Sequence, residues 1–128
     1  MSIEIISTEK APAAIGPYSQ GVAAGDFIFY SGQIPLCPSS GVMVGQTVEE
    51  QAEQVMKNME AALAAAGLGF SAVVKTTIFL TDMASFPKVN EIYGKRFSGS
   101  YPARATVEVS GLPKGAQVEI EWVAYRGE

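Results

Sequence analysis

Between Thr47 and Gly67 the apolar residues Val48, Ala52, Val55, Met56, Met59, Leu63 and Ala66 recur at three- and four-residue intervals, the period of one helix face. Thr47, followed three residues later by Glu50, carries the side chains of a capping box, and Gly67 suits the C-terminal stop. The opposite face holds Glu49, Glu53, Lys57 and Glu60. A helix with so clear a stripe must lay it on another element, and the flanking segments supply a sheet. VVKTTIFL at 73–80 is a β-branched run of strand length. Residues 103–109 and 117–125 alternate with period two. Residues 20–24 and 27–31 flank Gly25-Asp26, a hairpin turn, and residues 3–7 form an edge strand. Asp82 or Ser85 caps a second helix through about residue 98, with Phe86, Val89, Tyr93 and Phe97 inward. Residues 11–20 are irregular around Pro12, Gly16 and Pro17, and residues 35–46 form a loop. The order predicts an α+β fold, with two helices on one face of a mixed sheet. All 128 residues (1–128) are expected in one domain.

The two C-terminal strands set a question. Arg104, Thr106 and Glu108 alternate with Ala105, Val107 and Val109; Gln117, Glu119 and Glu121 alternate with Val118, Ile120 and Trp122. The arginine, the threonine and three glutamates are expected on the face turned away from the helices. That face is either solvated or packed against a neighbouring subunit. Only 17% of residues are charged, against an average of about 25%, a hint that some surface is hidden in an oligomer.

Several functions are disfavoured. With nine basic and thirteen acidic residues, a net charge of −4, the chain lacks the basic face that replaces phosphate counterions on nucleic acid or anionic membranes. It has no histidine, which excludes Ser-His-Asp and Cys-His catalysis and any imidazole metal site. Cys37 is the only cysteine, so neither an internal disulfide nor a multi-cysteine zinc site is expected. The start, MSIEIISTEK, has no apolar run behind a basic segment, and no stretch reaches ~18 apolar residues. A cytoplasmic protein without signal peptide or membrane span is expected.

Among candidate chemical groups, Arg104 has the planar fork that clamps a carboxylate, or it pairs with a glutamate on the next strand. Glu119 and Glu121 point the same way; partly desolvated, such a carboxylate has a raised pKa and can pass protons, and otherwise both are solvated. Tyr18 follows Gly16-Pro17, and Ser31-Gly32 ends an aromatic strand, where a hydroxyl and a backbone N–H can hold a small anion or simply make the turn. Asn90, on the second helix, bonds a ligand or a loop carbonyl. No phosphate loop is present: Gly41-x-x-x-Gly45 lacks the following Lys-Ser/Thr. Cys37 has no histidine to activate it.

IGPYSQ at 15–20, SGQIP at 31–35, QAEQVMKNMEAALAAAG at 51–67, VVKTTIFLTDM at 73–83, VNEIY at 89–93, PARATVEV at 102–109 and LPKGAQVEIEWVA at 112–124 together resemble the RidA, or YjgF-like, family of reactive-intermediate deaminases. The match spans nearly the whole chain. The resemblance implies a chorismate-mutase-like mixed β-sheet, a homotrimer with sheets facing inward and sites between subunits. It implies hydrolysis of 2-imino acids, or enamine tautomers such as 2-aminoacrylate, to 2-keto acids and ammonia, with no cofactor and no metal. By motif position Arg104 holds the substrate carboxylate, Glu119 orients or deprotonates the attacking water, and Tyr18, Ser31, Gly32, Asn90 and Thr106 line the pocket. Many relatives carry cysteine where this chain has Thr106, a departure that suits a mechanism without a thiol. The partners implied are small imino and keto acids and further copies of the chain, without nucleic acid or membrane. Two other classes stand beside this reading: a non-catalytic metabolite-binding or chaperone-like trimer, and an endoribonuclease. A binder needs the arginine but not Glu119.

Overall fold

The computed structural model of the chain describes residues 3–127. Its strands are β1 (Ile3–Ile6), β2 (Gly21–Ala24), β3 (Phe27–Gln33), β4 (Val73–Leu80), β5 (Ala103–Glu108) and β6 (Val118–Tyr125); its helices are α1 (Val48–Ala64) and α2 (Phe86–Gly94). The six strands form one sheet in the order β1-β2-β3-β6-β4-β5. Every pairing is antiparallel except β4 with β5, and that parallel pair uses α2 as its crossover. This is the expected α+β arrangement.

Both helices cover one face. Ile28 and Tyr30 of β3, Ile78 and Leu80 of β4, and Val118, Ile120, Trp122 and Ala124 of β6 are buried with Val55, Met56, Met59 and Leu63 of α1 and Val89 and Tyr93 of α2. Tyr30 stacks on Trp122 with ring centroids 4.6 Å apart. The α1 cap forms as its residues dictate: Glu50 N–H donates to Thr47 Oγ1 at 3.1 Å, and Thr47 N–H donates to Glu50 Oε1 at 3.1 Å. At the other end Leu68 N–H reaches Leu63 O and Gly67 N–H reaches Ala64 O, a Schellman turn that needs the left-handed φ of +74° at Gly67. Among the described residues no helix is long and apolar enough to cross a membrane.

Three expectations are corrected. The second helix stops at Gly94 rather than near residue 98, because Arg96 N–H and Phe97 N–H turn back to Tyr93 O and Gly94 O; Phe97 is buried all the same. Asp82 caps only the short turn Met83–Ser85, accepting from Ala84 N–H, and the Ser85 side chain caps nothing. Ser31-Gly32 does not end β3. The strand continues to Gln33 through an irregularity between Tyr30 and Gln33, a bulge that bends the strand and redirects its side chains.

A fourth correction concerns the faces of the C-terminal strands. In the parallel register Thr76, Ile78 and Leu80 lie beside Arg104, Thr106 and Glu108. Thr76, Ile78 and Leu80 are buried under the helices, so Arg104, Thr106 and Glu108 belong to the helix-bearing face. Glu119 and Glu121 pair with Phe79 and Thr77 and lie on the open face, as expected. Alternation tells which residues share a face but not which face it is. β5 is the edge strand at the margin of α2, so Arg104 and Glu108 stay accessible on the helix side.

The open face is more apolar than the alternation of residues 103–125 implied. Ile3, Ile5, Phe27, Phe29, Val107 and Tyr125 are between 40% and 69% exposed, and the pairings of β1, β2, β3, β5 and β6 put them on the side of Glu119. Apolar exposure on that scale is typical of a surface that meets a partner.

Candidate active site

The candidate residues fall into two groups. The first surrounds Glu119 in a cleft of about 620 Å³. The β3 bulge opens beside β6, and Gly32 receives the Glu119 side chain: a Cβ on Gly32 would lie 2.8 Å from the Glu119 carboxyl carbon, closer than packed atoms allow. The approach concerns the Glu119 side chain and not the backbone, so a Cβ at residue 32 would push the carboxylate out of this position. Ser31 N–H donates to Gln20 O at 2.9 Å, and Ser31 Oγ donates to Ser19 O at 2.6 Å. These bonds hold the Tyr18-Ser19-Gln20 segment over the bulge. Tyr18 N–H turns back to Gly16 O, and Gly16 supplies the φ of +126° this turn requires. Thus Tyr18, Ser31, Gly32 and Glu119 come together, with Glu121, Lys114, Ile34 and Leu36 around them.

Glu119 is half-buried, and that burial, with the like charge of Glu121 as the smaller cause, raises its carboxyl above the ordinary glutamate range. Among the described residues no cation lies within ion-pair distance of it. Its carboxylate is therefore left without a charge partner there.

The second group surrounds Arg104 in a cleft of about 680 Å³ that Asn90, Tyr93, Tyr101 and Pro102 also line. Arg104 Nη1 donates to Asn90 Oδ1 at 2.6 Å. The guanidinium carbon stands 5.2 Å from the centre of the Phe86 ring and 5.1 Å from that of Tyr93. Tyr93 is itself fixed by a 2.8 Å bond between its hydroxyl and Thr76 Oγ1. Among the described residues Arg104 makes no ion pair with a glutamate, so its partners are a neutral amide and two aromatic faces. The charge stays uncompensated, the guanidinium plane is set by its neighbours, and its remaining donors are open to an anion. Two residues on, Thr106 Oγ1 is buried and has no hydrogen-bond partner, a donor and acceptor awaiting one.

The two groups do not meet within one chain. Arg104 pairs with Thr76 and Glu119 with Phe79, on the two strands flanking β4. They are two strand spacings apart laterally and three residues apart lengthwise, roughly 14 Å in all, and on opposite faces of the sheet. A ligand the size of a small keto acid cannot touch both.

Supporting residues escaped the sequence reading. The buried Gln20 amide donates to Pro12 O at 2.7 Å and accepts from Thr8 N–H at 2.7 Å, fixing the chain before Tyr18. Asn58, buried on α1, donates to Leu36 O at 2.9 Å and holds the loop that walls the Glu119 cleft. Gln51 accepts from Gln117 N–H at 2.8 Å and fixes the entry to β6. All three amides sit where a pattern of apolar residues sees only interruptions; Gln51 and Asn58 do fall in the buried stripe of α1, the one signal available. Lys114, at φ +58° in the turn Pro113–Gly115, has no sequence signature beyond the adjacent glycine. Cys37 lies outside both clefts; hydrogen bonds from Ser39 and Ser40 lower its thiol to about 6. Among the described residues no cluster of three or more His, Cys, Asp or Glu is placed to hold a metal ion.

Comparison with known proteins agrees with this fold. Residues 8–126 match the family described as Endoribonuclease L-PSP. The chain is 56% identical over 126 residues to protein DfrA of Myxococcus xanthus, covering 97% of this chain and 96% of that one. It is 54% identical over 124 residues to the 2-iminobutanoate/2-iminopropanoate deaminase of Mus musculus, covering 97% and 92%. Its fold superimposes on the crystal structure of E. coli TdcF with bound serine at a TM-score of 0.92 and 43% identity, covering 97% and 99%.

Proposed function

This chain belongs to the endoribonuclease L-PSP family, the RidA or YjgF-like proteins, and on that premise we propose that it hydrolyses 2-imino acids such as 2-iminopropanoate and 2-iminobutanoate to 2-keto acids and ammonia, as a homotrimer with its sites between subunits. The observation that carries this reading is the division of the site: an unpaired guanidinium in one cleft and an unpaired, half-buried carboxylate in another, on opposite faces of one sheet. Each half lacks what the other offers. A second copy laid against the apolar open face covers exposed Phe29, Val107 and Tyr125 and brings the Glu119 cleft of one copy to the Arg104 edge of the next. Cyclic closure does this three times.

The chemistry needs little more. In the proposed site Arg104 grips the substrate carboxylate, with Thr106 Oγ1 as a further hydrogen-bond group, and Asn90 steadies the guanidinium. Glu119 of the partner subunit takes a proton from water while the water oxygen bonds to the carbon of the protonated imine. The resulting carbinolamine receives that proton on nitrogen, the C–N bond breaks and ammonia leaves, and the partner's Glu119, ionised again, takes the hydroxyl proton as the keto group forms. An enamine first gains a proton at carbon to become the imine. The imine carbon is already electrophilic, so positioning and one proton relay suffice.

The test is a coupled assay in which an L-amino-acid oxidase generates the imine and semicarbazide traps it. Adding the protein lowers the rate of semicarbazone formation; an unchanged rate with several amino acids sinks the reading. Light scattering is expected to report three copies of 13.5 kDa, about 40 kDa, and a monomer at micromolar concentration refutes the shared site. The family's description as Endoribonuclease L-PSP favours a second reading, an endoribonuclease. Cleavage of RNA that fades as salt rises, without imine hydrolysis, would select it.

A further inference from the structure

Glu119 and Glu121 stand two residues apart on β6, so both side chains project from the open face, and both line the same cleft. Their Cα atoms are separated by roughly 7 Å, the repeat of two strand residues. The charged and titratable groups around them are few. The turn Pro113–Gly115 brings Lys114, and the segment before β2 brings Tyr18. β4 brings Lys75, which shares a shallow depression with Glu121 and Thr77. The β3 bulge and the loop through Leu36 bring no charge. Neither lysine lies within 4 Å of either carboxylate. In the proposed trimer Arg104 of the partner subunit joins these charges.

We infer that Glu121 is a positioning residue that acts through Glu119: its negative charge makes Glu119 a stronger base for the attacking water than burial alone would. Glu121 is exposed while Glu119 is half-buried, so a charge at Glu121 acts on a neighbour that water shields less. The like charge of Glu121 is the second cause, after burial, of the raised Glu119 carboxyl. The mechanistic consequence rests on the proposed imine hydrolysis; the effect on Glu119 itself does not.

The sign is distinctive. Removing the charge of Glu121 makes Glu119 easier to ionise, so its titration midpoint falls. With an effective dielectric between about 40 and 80 at roughly 7 Å, the fall is about half a pH unit to one pH unit. The experiment combines a 13C-carboxyl NMR titration of Glu119 with the pH profile of kcat/KM, in the parent protein and in Glu121→Gln. The Glu119 midpoint is expected to fall by that amount and the acidic limb of the profile to move with it. One pH unit below the parent midpoint the gain in ionised base outweighs its lower strength, and the variant is up to about two-fold more active than the parent. On the alkaline plateau it is a few-fold slower, because the base is weaker. A purely structural role lowers activity at every pH and leaves the titration where it was; an unmoved Glu119 midpoint overturns the inference whatever the activity. A midpoint that falls in a protein without imine hydrolysis upholds the coupling and removes the proposed reaction.

Discussion

Glu119→Gln is expected to lower turnover by roughly 100-fold or more while leaving binding of a product-like carboxylate nearly unchanged, the scale on which a positioned general base contributes. Glutamine keeps the shape that fits against Gly32 but cannot accept a proton at neutral pH. The substrate carboxylate is assigned to Arg104, in the other cleft, so affinity for pyruvate is retained. In the parent protein Glu119 acts only when ionised. Burial and Glu121 raise its carboxyl, so activity is complete above that raised midpoint and is lost as pH falls through it, at a higher pH than an ordinary glutamate would set. Steady-state assays from acidic to neutral pH, with calorimetry for pyruvate binding, test both statements. Glu121→Gln is expected to move the acidic limb without abolishing turnover. Equal loss in the two variants at every pH would mean that neither carboxylate is the base.

Much of the architecture was legible because local signals agreed with one another. The 3–4 periodicity from Val48, the Thr47–Glu50 box and Gly67 all mark one helix, and the Gly25-Asp26 turn sits between strands as its residues require. What the alternation could not convey was the placement of β5. Arg104 and Glu119 read as neighbours on one face because both alternate with apolar residues. The parallel register with β4 puts them on opposite faces, and parallel registration is a long-range choice that no local pattern encodes. The same reversal turns Ala105 and Val107 to the open face, where they extend an apolar surface instead of facing a core.

The site divides along similar lines. Residue types with one chemical use, Arg104 and Glu119, could be singled out from the chain and named more firmly through the family resemblance. The groups that hold them could not. Phe86 and Tyr93 read as inward core residues, yet they also flank the guanidinium. Gly32 read as part of a turn, yet it is the gap into which Glu119 fits. Gln20, Gln51 and Asn58 bond to backbone atoms 8 to 66 residues away, partners that exist only once the chain has folded.

Those supporting contacts explain why Arg104→Lys, often counted a mild change, is expected to abolish most activity. The guanidinium is planar: one edge donates to Asn90 and its carbon stands 5.2 Å and 5.1 Å from the Phe86 and Tyr93 ring centres, which leaves a fork of N–H donors for a carboxylate. Lysine keeps the charge but concentrates it in one rotating ammonium that neither packs flat between the rings nor presents two parallel bonds. A hydrogen bond to a charged group contributes about 1.5–3 kcal/mol, so losing one or two weakens carboxylate binding roughly 10- to 100-fold or more. Arg104 is exposed and makes no ion pair among the described residues, so the assembly should survive, and light scattering should give the parent mass. Isothermal titration with pyruvate and with 2-ketobutyrate separates the outcomes: binding to the parent and not to the variant is expected. Equal affinity would make Arg104 a structural residue that only ties α2 to the edge of the sheet through Asn90, and the carboxylate site would have to be sought elsewhere.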